Sequence, residues 1–119
     1  MTENPVLEQL KKQGHDRLLI GGEWREASDG AEIEVLDPST GEPVASVPSA
    51  SVDDVLAAVD AAEAASEAWA ATPPRQRGEI LRRAFEMMID RADDLASLIV
   101  LEMGKTFAES KAEIAYAAE

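Results

Sequence analysis

The sequence predicts an α+β chain in which short antiparallel strands come first and about four amphipathic helices follow. Three observations carry this. Between residues 17 and 50, short apolar runs are broken by Gly, Asp and Pro, as in strands joined by tight turns. From residue 51 onward, apolar residues recur at the three- and four-residue spacing of a helix face. The helical runs are bracketed by residues that cap helices, Ser51 and Thr106 ahead of them and Gly104 behind one.

Residues 1–16 form a polar N-terminal arm with one periodic patch, Val6, Leu7 and Leu10, consistent with a short helix or a loose segment. In residues 17–50, the β-hairpin region, "RLLIGGEW" places Gly21-Gly22 between two strand-like arms, and a two-residue turn there requires positive φ. "EASDG" is a second turn. "AEIEVLD" alternates, with Ile33 and Val35 on one face and Glu32 and Glu34 on the other, as in a half-buried strand. "DPSTGEP" is a turn built on Asp37, Pro38 and Gly41, and "VASVPSA" resumes the strand until Pro48 ends it.

Residues 51–119 are helical. Ser51 caps the first helix, with Asp53 and Asp54 at the positive end of its dipole. Its apolar stripe is Val52, Val55, Leu56, Val59, Ala62, Ala65 and Trp69. Thr72 is expected to cap the next helix, with Pro73 in the first helical position, where a missing N–H costs nothing. Ile80, Leu81, Ala84, Phe85, Met88 and Ile89 form the buried stripe of that helix, and Glu79 pairs with Arg82 and Arg83 on its solvated side. "DRADD" opens a third helix, and a fourth begins near Phe107. Ile114, Ala115 and Ala118 are still in helical phase near Glu119, so the sequence reads as a piece of a longer protein.

Composition excludes several function classes. The chain has 119 residues and is 45% hydrophobic, so it is not a disordered tail, but only 4% of its residues are aromatic and its core is thin. A net charge of −13 repels nucleic acid and anionic membranes, so neither is an expected partner. There is no cysteine, which removes disulfides, thiolate metal sites and a cysteine nucleophile from these residues. The single histidine, His15, reads as a solvated imidazole, and one histidine makes no metal cluster. The N-terminal residues lack the basic start and apolar core of a signal peptide, and no apolar run has the length of a membrane span, so the cytoplasm is the expected location.

"EMGKT", residues 102 to 106, contains the Gly-Lys-Thr triplet that ends a phosphate-binding loop. That loop needs a glycine five positions before the Gly-Lys pair, and here the position is Ile99, inside a helical apolar run. The triplet therefore reads as a junction between two helices. Gly104 takes the left-handed conformation that ends the first. Thr106 and Glu109 form a capping box at the start of the second, each side chain meeting the other's backbone N–H.

Taken together, "LIGGEW", "VLDPSTGEPVASVPSAS" and the run of helices from "AAEAASEAWAATPPRQRGEILRRAFEMMIDRADDLASLIV" into "LEMGKTFAESKAEIAYAAE" resemble the N-terminal part of the NAD(P)-dependent aldehyde dehydrogenases. Within that superfamily the last stretch is most similar to the succinate-semialdehyde dehydrogenases. The resemblance implies that residues 51–119 belong to an incomplete cofactor-binding domain. It implies a parent enzyme that oxidises an aldehyde, succinate semialdehyde to succinate, through a cysteine thiolate, passes hydride to NAD or NADP, and releases the acid with a glutamate-activated water. The family's nucleophile, general base, oxyanion asparagine and cofactor-binding segments all fall beyond residue 119. No catalytic or cofactor-binding residue is carried over, and this piece by itself is expected to be inactive and to bind no nucleotide. Its partners are the remainder of its own chain, an aldehyde substrate and, in the whole enzyme, further copies in a homo-oligomer.

One site can be carried over. Some family members hold a monovalent cation with an acidic side chain just before the Gly-Lys pair and with carbonyls near the Asn/Asp-Pro segment. The matching positions are Glu102, Val35 and Leu36, and an all-oxygen donor set suits a hard cation. Against this stands the simpler reading of Glu102 as a helix-end carboxylate with no ion. Two further alternatives stay open: a free-standing acidic helical interaction module without catalysis, and an aldehyde dehydrogenase for another short semialdehyde.

Overall fold

A computed structural model describes residues 4–119, so the first three residues of the N-terminal arm lie outside it. The arm is a helix, α1 (Pro5–Gln13). The Asn4 carboxamide oxygen accepts the N–H groups of Val6 and Leu7 at 2.9 and 3.2 Å. Pro5 sits at the first helical position, where a missing N–H is harmless. The helix closes in a Schellman motif, with Gly14 at φ 67° and His15 N–H bonded to the Leu10 carbonyl at 2.9 Å.

Two separate antiparallel hairpins follow. β1 (Leu18–Ile20) pairs with β2 (Glu23–Arg25) across Gly21 and Gly22, both at positive φ. β3 (Glu32–Leu36) pairs with β4 (Pro43–Pro48), and their register shifts between Val35 and Leu36. The expected half-burial of β3 holds for Val35, but Ile33 is exposed, because no second layer covers this two-stranded ribbon among the described residues. His15 is exposed, as expected, and lies on the Trp24 ring, with centroids 4.8 Å apart.

The helices are α2 (Val52–Ala71), α3 (Pro74–Asp90), α4 (Ala92–Met103) and α5 (Phe107–Ala118). The α2–α3 junction corrects the expected boundary by one residue. Pro74, not Pro73, holds the first helical position of α3, and Pro73 is its N-cap. The Thr72 hydroxyl does not cap α3 but turns back to donate to the Ala68 carbonyl at 2.9 Å, closing α2. Arg77 reinforces that end by donating to the carbonyls of Ala70 and Thr72 at 3.0 and 2.8 Å. On α3, Arg82 engages Glu79 at 3.0 Å and also Glu86, and no ion pair with Arg83 forms among the described residues.

The core is small. Its buried apolar residues are Ala27, Ala96, Leu101 and Ile114, the last three where α4 meets α5, with Ser110 wholly buried beside them. Phe85 and Met88 of α3 are half-buried along the groove shared with the end of α5, but Ile80, Leu81 and Ile89 of the predicted stripe are exposed.

Helix α2 departs furthest from the sequence reading. It lies against the first hairpin through alanines: Ala58, Ala61, Ala62 and Ala65 face Leu19, Ile20, Gly21 and Gly22. A Cβ placed on Gly21 would stand 3.8 Å from that of Ala61, an ordinary contact. The large members of the predicted stripe point elsewhere, and Val52, Val55, Leu56 and Val59 are 76, 51, 56 and 57% exposed. The radius of gyration, 16.7 Å, exceeds the roughly 13–14 Å of a compact domain of this length.

Candidate functional site

The α4–α5 junction is the one place where the structure brings sequence-predicted site segments together. Helix α4 ends at Met103, and Gly104, at φ 71°, donates its N–H to the Val100 carbonyl at 2.9 Å. This is the left-handed stop expected from the sequence. Thr106 then caps α5: the Glu109 N–H reaches the Thr106 hydroxyl oxygen at 3.4 Å, and the hydroxyl donates to the Glu109 carboxylate at 2.8 Å. The predicted capping box is therefore half formed, because the carboxylate takes the hydroxyl instead of the Thr106 N–H. The Ser110 hydroxyl donates to the Thr106 carbonyl at 2.9 Å and fixes the first turn of α5.

This geometry does not suit a triphosphate. Ile99 lies within α4, and a helix, not a buried strand, leads into the triplet. The Lys105 ammonium is already engaged by the Glu113 carboxylate.

Opposite the junction sits the turn after β3. The Asp37 carboxylate accepts the Ser39 N–H at 2.8 Å and the Ser39 hydroxyl at 2.6 Å, and Gly41 N–H closes the turn on the Asp37 carbonyl at 2.7 Å. The two bonds from Ser39, the hydroxyl first, hold the Asp37 carboxyl below its ordinary range. Pro38 of this turn meets Gly104, so closely that a Cβ on Gly104 would come 3.1 Å from the proline Cγ.

Glu102 lies in the last turn of α4, two residues before Gly104, and is exposed. Val35 and Leu36 end β3, just before Asp37 and Pro38. Leu36 is registered opposite Pro43, which has no N–H to offer a carbonyl. The Gly104–Pro38 contact thus joins the two segments that carry Glu102 and the Val35 and Leu36 carbonyls. Among the described residues there is no group of three or more His, Cys, Asp or Glu side chains placed to hold a metal.

A second polar cluster was only partly legible. Asp54 was read as a charge on the α2 dipole, but it is 2% exposed. Its carboxylate accepts the Ser51 N–H at 3.0 Å while the Ser51 hydroxyl accepts the Asp54 N–H at 3.1 Å, a full capping box. It also accepts the Ser28 N–H at 3.0 Å and faces the Arg25 guanidinium at 3.5 Å. The two backbone donors, Ser28 first and Ser51 next, outweigh burial and lower its pKa from 3.8 to about 2. The Ser-x-x-Asp spacing signals the box. Nothing local signals Ser28 or Arg25. The cluster ties the first hairpin and the following turn to the start of α2.

Comparison with known proteins places the fold. Residues 24–119 match the family model described as the aldehyde dehydrogenase family. The chain is 47% identical over 100 residues to the NADP(+) succinate-semialdehyde dehydrogenase of Escherichia coli strain K12, covering 84% of this chain and 21% of that protein. It is 46% identical over 99 residues to the glutarate-semialdehyde dehydrogenase of Pseudomonas putida, covering 83% of this chain and 21% of that one. Among solved structures, the succinate-semialdehyde dehydrogenase of Burkholderia pseudomallei superposes with a TM-score of 0.83 at 44% identity, over 86% of this chain and 21% of that one. The chain thus spans about a fifth of the length of the relatives it matches, and corresponds to the N-terminal part of their fold. It belongs to the aldehyde dehydrogenase family.

Proposed function

We propose that this chain is the N-terminal portion of an enzyme that oxidises a short semialdehyde, succinate semialdehyde foremost, to the acid, with water as the oxygen source and NADP or NAD as hydride acceptor. The observation that carries the reading is the 47% identity over 100 residues to a succinate-semialdehyde dehydrogenase whose name specifies NADP(+). The glutarate-semialdehyde dehydrogenase at 46% identity supports glutarate semialdehyde as the second candidate substrate. The nicotinamide supplies the hydride acceptor. These residues supply frame, not chemistry: with no cysteine they hold no thiolate nucleophile, and by themselves they turn over no aldehyde. In this reading the enzyme works in the cytoplasm as a homo-oligomer.

The test is to purify the protein that carries this sequence from its host. Its kcat/KM is then measured with succinate and glutarate semialdehydes, each with NAD and NADP. Preferred oxidation of succinate semialdehyde is the expected result. A higher kcat/KM with glutarate semialdehyde overturns the substrate alone, and no oxidation of either overturns the activity.

Within that enzyme, Glu102 with the Val35 and Leu36 carbonyls holds a monovalent cation. An all-oxygen donor set suits a hard ion, and the contact between Gly104 and Pro38 supports it by bringing the two segments together. A Tm that rises with sodium or potassium at constant ionic strength, and that Glu102→Gln makes insensitive to the choice of cation, is the expected signature. Equal Tm in all monovalent salts overturns the site and leaves the activity untouched.

A further inference from the structure

We draw no further inference here: the strongest candidate, the exposed apolar face of α2 formed by Val52, Val55, Leu56 and Val59, is unpartnered and nothing in the structure shows what covers it.

Discussion

Gly104 packs against Pro38: a Cβ on the glycine that ends α4 would lie 3.1 Å from the proline Cγ, a tight contact that the ring must yield to by a few tenths of an ångström. The same residue is at φ 71°, where an L side chain is strained. One position therefore satisfies two demands, stopping a helix and admitting the turn that follows β3.

Replacing Gly104 by Val is expected to destabilise the protein by ~1–2 kcal/mol from backbone strain, with the Pro38 contact adding to it. Gly104→Ala in a Pro38→Ala background separates the two causes, since it keeps the strain and relieves the crowding. A Tm unchanged by Gly104→Val contradicts both.

Asp54 predicts an acid response. Its pKa in the folded chain, about 2, lies below its ordinary 3.8, so folding favours the ionised carboxylate. The stabilisation is present in full above the ordinary value and is lost as pH falls through about 2. Denaturant midpoints measured from pH 5 down to 2 should fall less steeply for Asp54→Asn than for the parent, on linkage grounds. At neutral pH Asp54→Asn should be the less stable protein, because a neutral amide loses the charge that strengthens the bonds from Ser28 and Ser51 and pairs with the Arg25 guanidinium. Parallel pH profiles for the two proteins would show that Asp54 is not the titrating group.

The Gly-Lys-Thr triplet should have no nucleotide affinity. Calorimetric titration with ATP and magnesium is expected to give no saturable heat. Micromolar binding that Lys105→Ala abolishes would contradict the junction reading.

Produced by itself, the 119-residue chain should be helical but loosely packed, with a broad thermal transition and a tendency to self-associate. Conformational entropy opposes folding by ~1–2 kcal/mol per residue, and against it the chain sets only a small core at the α4–α5 contact. The open face of α2 adds a surface suited to association. Salt should narrow the transition by screening the self-repulsion of a chain with net charge −13. Circular dichroism melts with sedimentation velocity are the measurement. A sharp two-state transition from a compact monomer at low salt would overturn this expectation and favour a free-standing module.

What the sequence determined by itself is local. The Gly21-Gly22 turn, the Ser51 and Thr106 caps and the left-handed stop at Gly104 depend on residues within a few positions of one another, and each is where its pattern placed it. Even there, two adjacent prolines left the start of α3 ambiguous by one residue, because Pro73 and Pro74 both tolerate a helix N-terminus. The family was legible too, because the order of turns and helices along the chain carries it. Only the tertiary structure decided which faces meet. Periodicity finds an apolar stripe on α2 but cannot say what lies opposite, and it is Ala61 that comes to Gly21 of the hairpin while the valines and Leu56 are exposed. Asp54 read only as a charge at the positive end of the α2 dipole because its partner Ser28 lies 26 residues away. The pairing of Gly104 with Pro38 spans more of the chain still. Such contacts are set by how separate elements pack, which no local pattern encodes.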